Sequence, residues 1–193
     1  MKSLNELPHG YISKLHISMQ NDKRTMLTIN IIGIVITVLM IIIMNAFVPL
    51  VQLIDGMRIS DLLIMTSVLI FSYIAYIVLH ELTHAAVMKA VGGGKVRFGF
   101  TGMYAFAGST EDFFDKAAYR LIALAPLFVW GIVFAVLQAA LPLSWSWVIW
   151  MLQVGNVGGS AGDVYVTLKL MRMPSTILIN DTGLEVTVYD EQA

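Results

Sequence analysis

Within the stretch IVLHELTHAAVMKAV, residues 77 to 91, two histidines and a glutamate interrupt an apolar run. His80 and His84 are four residues apart, so on a helix their imidazoles share a face and can meet one zinc ion. Glu81 is turned roughly 100° from His80. That direction suits a general base acting on the metal's water rather than a further ligand. Lone histidines on helices are mostly structural. In a membrane span that explanation weakens, because each ionisable group near the centre costs about 2.5–3.5 kcal/mol on insertion scales. A glutamate flanked by two histidines in one turn has no packing reason to be there.

A catalytic zinc takes three protein ligands and keeps a position open for water. The chain has no cysteine, which excludes thiolate ligands, disulfides and a cysteine nucleophile. His9 and His16 lie in a polar N-terminal segment, so the third ligand is sought among acids within the apolar part. Asp163, in GNVGGSAGDVY, and Asp55, in QLIDGM, are the two candidates. Depth separates them. His80 is about 15 Å from the cytoplasmic end of its span at helical rise, and Asp163 about 10–12 Å from the same side. Asp55 belongs to the opposite loop, which leaves Asp163 as the better ligand. The blander reading of Asp163 is a polar residue in a cytoplasm-facing crevice.

These residues need a scaffold, and composition says which kind. Of 193 residues 58% are hydrophobic and only 13% charged, against about 25% charged in a soluble domain. The apolar residues also gather into runs of roughly 20, enough to cross a bilayer. The predicted fold is an α-helical integral membrane protein with four transmembrane helices, at about 26–48, 61–90, 117–141 and 145–170. The first run is too long for a cleaved signal peptide and is expected to stay as an anchor. Gly155, Gly158, Gly159 and Gly162 surround Asn156 and precede Asp163, a poor sequence for a regular helix. Broken backbone at membrane depth is tolerated where protein or a water-filled cavity covers it, and small residues also let helices approach closely.

Basic residues set the orientation. Lys2, Lys14, Lys23, Arg24, Lys89, Lys95, Arg97, Lys116, Arg120, Lys169 and Arg172 fall on one side of this topology and Arg58 alone on the other. By the positive-inside rule both termini are cytoplasmic. Trp145, Trp147 and Trp150 then form an outer aromatic belt. Arg120 is expected to snorkel at the inner interface and Pro126 to kink the third span.

Two segments read as strands. After three glycines that end the metal helix, Val96, Phe98 and Phe100 alternate with Lys95, Arg97 and Gly99, and MYAF supplies a second strand beyond a turn at Thr101 and Gly102. TILINDTGLEVTVYD reads as a C-terminal cytoplasmic hairpin turning near Asp181 to Gly183. The predicted layout is a cytoplasmic segment 1–25, a four-span membrane domain 26–171 and a cytoplasmic tail 172–193.

Together these motifs resemble the site-2 protease clan of intramembrane zinc metalloproteases. They look closer still to a family of small bacterial membrane proteins known as "putative zincin peptidases". The resemblance covers roughly residues 60 to 185, and ALAP at 123–126 is similar to a small-residue-Pro patch of the clan. It implies that His80, His84 and Asp163 bind zinc, that Glu81 is the catalytic base, and that Asn156 helps position substrate or stabilises the oxyanion. It also implies residence in a bacterial plasma membrane. The chain departs from the clan's later motif: Gly159 stands where a proline is typical, Val164 follows the aspartate in place of glycine, and the spacing from Asn156 to Asp163 is one residue shorter. Ile54 to Gly56 spells the motif's IDG literally but precedes the histidines on the wrong side.

The function so implied is hydrolysis of a peptide bond in a membrane-associated protein or peptide, by zinc-activated water with Glu81 as base. The strand at Val96 to Phe100 is expected beside the site, receiving an unwound substrate as an added strand. The main rival is a non-catalytic protein that binds zinc or a client helix, and an intact Glu81 argues against it. A metal transporter is a weaker rival, since four spans with one asymmetric polar cluster fall short of the usual repeat architecture unless a homo-oligomer completes it. Lipid is an obligatory partner, and nothing supports nucleic-acid binding.

Overall fold

The computed structural model describes residues 3–18, 22–102 and 104–192. Lys2, counted above among the orienting charges, and Met103, in the MYAF strand, lie outside them.

Among the described residues, three helices are long and apolar enough to cross a membrane: α1 (Lys23–Phe47), α3 (Ile59–Ala90) and α4 (Lys116–Ala140). The five-residue helix α2 (Leu50–Ile54) lies between the first two. Each long helix starts or stops for a local reason. Asp22 caps α1 by accepting the N–H groups of Arg24 and Thr25, and Asp115 caps α4 by accepting that of Ala118 at 2.7 Å, in each case satisfying donors that the helix start leaves orphaned. α3 ends in a Schellman motif. The Gly92 N–H bonds the Lys89 carbonyl, the Gly93 N–H bonds that of Met88 at 2.8 Å, and Gly92 takes φ +93°.

The expected fourth span is two shorter helices, α5 (Ser146–Gly159) and α6 (Ala161–Met171), which meet at Ser160. α5 packs against α1, α3 and α4, and its glycines make that possible. Gly155 lies so close to the Tyr73 ring of α3 that a Cβ would force the ring to shift, and a Cβ on Gly158 would stand 3.3 Å from Thr37 Oγ1 of α1. Trp147 and Trp150 donate their indole N–H groups to the carbonyls of Val48 and Met40, both at 2.9 Å, fastening α5 to the end of α1.

The polar ends form more sheet than expected. β1 (Ser3–Leu4), β2 (Tyr11–Ser18), β5 (Phe113–Asp115), β6 (Leu178–Asp181) and β7 (Glu185–Glu191) make one antiparallel sheet in the order β1-β5-β6-β7-β2. The C-terminal segment therefore pairs with the N-terminal one instead of standing as a separate hairpin. Val186 and Val188 alternate inward along β7 and join Ile17, Phe114, Ile179, Ile122, Val166 and Leu170 in a core between sheet and helices. A second sheet holds only β3 (Arg97–Phe100) and β4 (Ala105–Gly108). Buried Asp112 ties the two together and to the end of α3. It accepts the Gly94 N–H at 2.8 Å and the Ser109 hydroxyl at 2.6 Å, while Asn180 of β6 donates to its carbonyl.

Candidate metal centre

His80 and His84 lie on one face of α3, both about 8% exposed. Asp163 sits in the first turn of α6, immediately beyond the break that the glycine-rich sequence imposes. Its Oδ2 lies 3.7 Å from His80 Nε2 and 3.6 Å from His84 Nε2. One ligand atom from each of the three residues falls within 4.8 Å of the others, a group able to hold a metal ion.

The other nitrogen of each ring fixes the tautomer. His84 Nδ1 is 2.9 Å from the Ile122 carbonyl, which only accepts, so Nδ1 carries the proton. His80 Nδ1 is 2.9 Å from the Tyr76 hydroxyl. That hydroxyl spends its own proton on Asn156 Oδ1, at 3.0 Å, so His80 must be the donor as well. With both rings neutral, each Nε2 turns a lone pair toward the Asp163 carboxylate, and the three atoms converge on one point where a metal ion fits. Tetrahedral zinc, with bonds near 2.0–2.1 Å, sets neighbouring donors roughly 3.4 Å apart, close to the spacing seen. The donor set fits zinc: two neutral imidazoles and a carboxylate, each imidazole backed by a hydrogen-bond acceptor.

The centre lies on a cavity of about 1050 Å³. Residues of α1 from Met26 to Thr37 and of α3 from Leu69 to Ile74 form its walls, and α5 contributes Met151 to Gly159. Glu81 lines the same cavity, as do Tyr104 to Ala107 of the second sheet and Asp181 at the β6–β7 turn. Asp181 accepts bonds from the Tyr119 hydroxyl and the Gly183 N–H, and burial raises its pKa above the usual carboxylate value.

Two expectations are revised. The strand bordering the site is β4, not the segment Val96 to Phe100. The hairpin folds back so that its second strand packs on α3, leaving Phe98 and Phe100 of β3 54% and 71% exposed. Ala107 lines the cavity together with Glu81. Asn156 is fully buried; its amide donates to the Leu127 carbonyl at 3.0 Å, and its oxygen receives Tyr76. Both ends of that side chain are engaged within the protein. Asp55 caps α2 and is exposed, apart from the cluster. Tyr76, Ile122 and Asp181 were not singled out by the sequence. Tyr76 precedes His80 by one helical turn, the only local signal of its role.

The arrangement defines a membrane-type helical protein with a His-His-Asp centre able to hold a metal. A family model described as "Putative zincin peptidase" matches residues 73–178, more than half of the chain and the whole of this centre, and the chain belongs to that family. No curated protein and no solved structure matches the chain.

Proposed function

We propose that the protein is an intramembrane zinc metalloprotease similar to the site-2 protease clan, cutting a membrane-associated protein or peptide. The observation that carries this reading is the tripod of His80 Nε2, His84 Nε2 and Asp163 Oδ2 beside a cavity walled by two apolar helices. In the proposed topology α5 and α6 together make a fourth crossing, and the basic residues keep both termini in the cytoplasm.

Zinc held by His80, His84 and Asp163 would supply a Lewis acid, polarising the peptide carbonyl and making a water more acidic. Glu81, lining the same cavity, would take a proton from the attacking water as its oxygen bonds the carbonyl carbon, and give it to the amine nitrogen as the C–N bond breaks. The substrate lies along β4 as an added strand. Thr101 N–H bonds the Tyr104 carbonyl at the hairpin's end, so by the antiparallel alternation the N–H and C=O groups of Ala105 point away from β3, toward the edge where an extended chain would pair. Small side chains there keep the edge open.

The test compares membrane proteins of cells producing the wild type or Glu81→Gln at equal levels. The proposal expects new chain termini in or beside transmembrane segments with the wild type and none with Glu81→Gln, both proteins retaining zinc. Identical fragment patterns would falsify it.

A further inference from the structure

Pro126 lies inside α4, fully buried, and the helix runs through it from Lys116 to Ala140. In a helix the N–H of residue 126 would bond the carbonyl of residue 122. Proline has no N–H, and its ring pushes the carbonyl four residues back aside. The carbonyl orphaned in this way is that of Ile122, and it is the one that receives His84 Nδ1–H at 2.9 Å. The missing helical bond and the ligand's bond are therefore two aspects of one substitution. His80 is served by a different device. Its Nδ1–H meets Tyr76, 5% exposed, whose own proton is held by fully buried Asn156, itself oriented by the Leu127 carbonyl. Leu127 adjoins Pro126, so one short piece of α4 supports both ligands.

We infer that Pro126 and Tyr76 are positioning residues for the metal centre, locking both imidazoles with Nε2 toward Asp163, with Asn156 acting through Tyr76. This rests on the zinc reading above. Outer partners of this type, when lost, weaken metal affinity about 10–100-fold. Pro126→Ala restores an N–H that competes with His84 for the Ile122 carbonyl. It also removes a helix-breaking residue, so a role confined to structure and a role in positioning predict different things.

The experiment measures zinc affinity by chelator competition on detergent-purified wild type, Pro126→Ala, Tyr76→Phe and Tyr76→Phe/Asn156→Leu, with thermal unfolding of each metal-free protein. Pro126→Ala is expected to bind zinc about 10-fold more weakly or worse while its metal-free form unfolds no earlier than wild type. Tyr76→Phe, which loses one oxygen and no packing volume, is expected to weaken binding similarly, and the double variant no further. Wild-type zinc affinity in Pro126→Ala overturns the role of the proline; in Tyr76→Phe it overturns that of the tyrosine. If Pro126→Ala fails to fold, Tyr76→Phe decides alone. A wild type that binds no zinc overturns the metal reading itself, a different result from variants that bind as wild type does.

Discussion

Glu81 and Ala107 line the same cavity, joining the strand that borders the cavity to the residue assigned as base. Ala105, two residues earlier, presents its N–H along the same edge. Ala105→Pro is therefore expected to lose most substrate cleavage while keeping zinc, because it removes a donor from that edge without breaking the hairpin ladder. Phe98→Pro makes the matching change on the outer edge of β3 and is expected to cut normally. Equal activity of the two variants in a cleavage assay would remove β4 from the account.

Close approach is concentrated at particular glycines. A Cβ on Gly108 would run into the backbone of Thr182 and Gly183, which has nowhere to go, whereas one on Gly159 meets nothing within 4 Å. Gly108→Ala should cost about 3 kcal/mol of stability. Gly159→Ala should change it by less than about 1 kcal/mol, toward greater stability, because alanine suits a helix better. Thermal unfolding of the two variants in detergent tests this; a tolerated Gly108→Ala contradicts the contact between the two sheets.

Burial raises the pKa of Asp181 above its ordinary 3.8, so the folded state holds this proton more tightly than the unfolded one. The associated stability is complete below about pH 3.8 and is lost as pH rises through the raised value. Asp181→Asn removes the titration. The stability of metal-free Asp181→Asn relative to wild type should climb as pH rises from about 4 and then level off. A difference that is flat across that range would mean Asp181 ionises as an exposed carboxylate does.

The chemistry was easier to read from the sequence than the scaffold that supports it. The spacing of His80 and His84 depends on helix geometry alone, and depth within the spans was enough to prefer Asp163 over Asp55. The β6–β7 hairpin carried its turn in Asp181 to Gly183. By contrast β2 pairs with β7, some 170 residues away, and a register shift between Ser13 and Leu15 interrupts its alternation. No local pattern reveals such a strand. The same holds for Asn156: its residue type suggested an oxyanion donor, but its partners come from α3 and α4 and are visible only in three dimensions. Pro126 read as a kink because its consequence, a free carbonyl at Ile122, matters only once α3 lies alongside.

The most direct test of the metal centre is the zinc content of detergent-purified protein beside an Asp163→Ala variant prepared identically. The account predicts about one zinc per chain in the wild type, lost or sharply weakened in the variant because two imidazoles alone remain. A wild type without zinc, prepared so that metal is not stripped, or a variant that keeps a full complement, would contradict it.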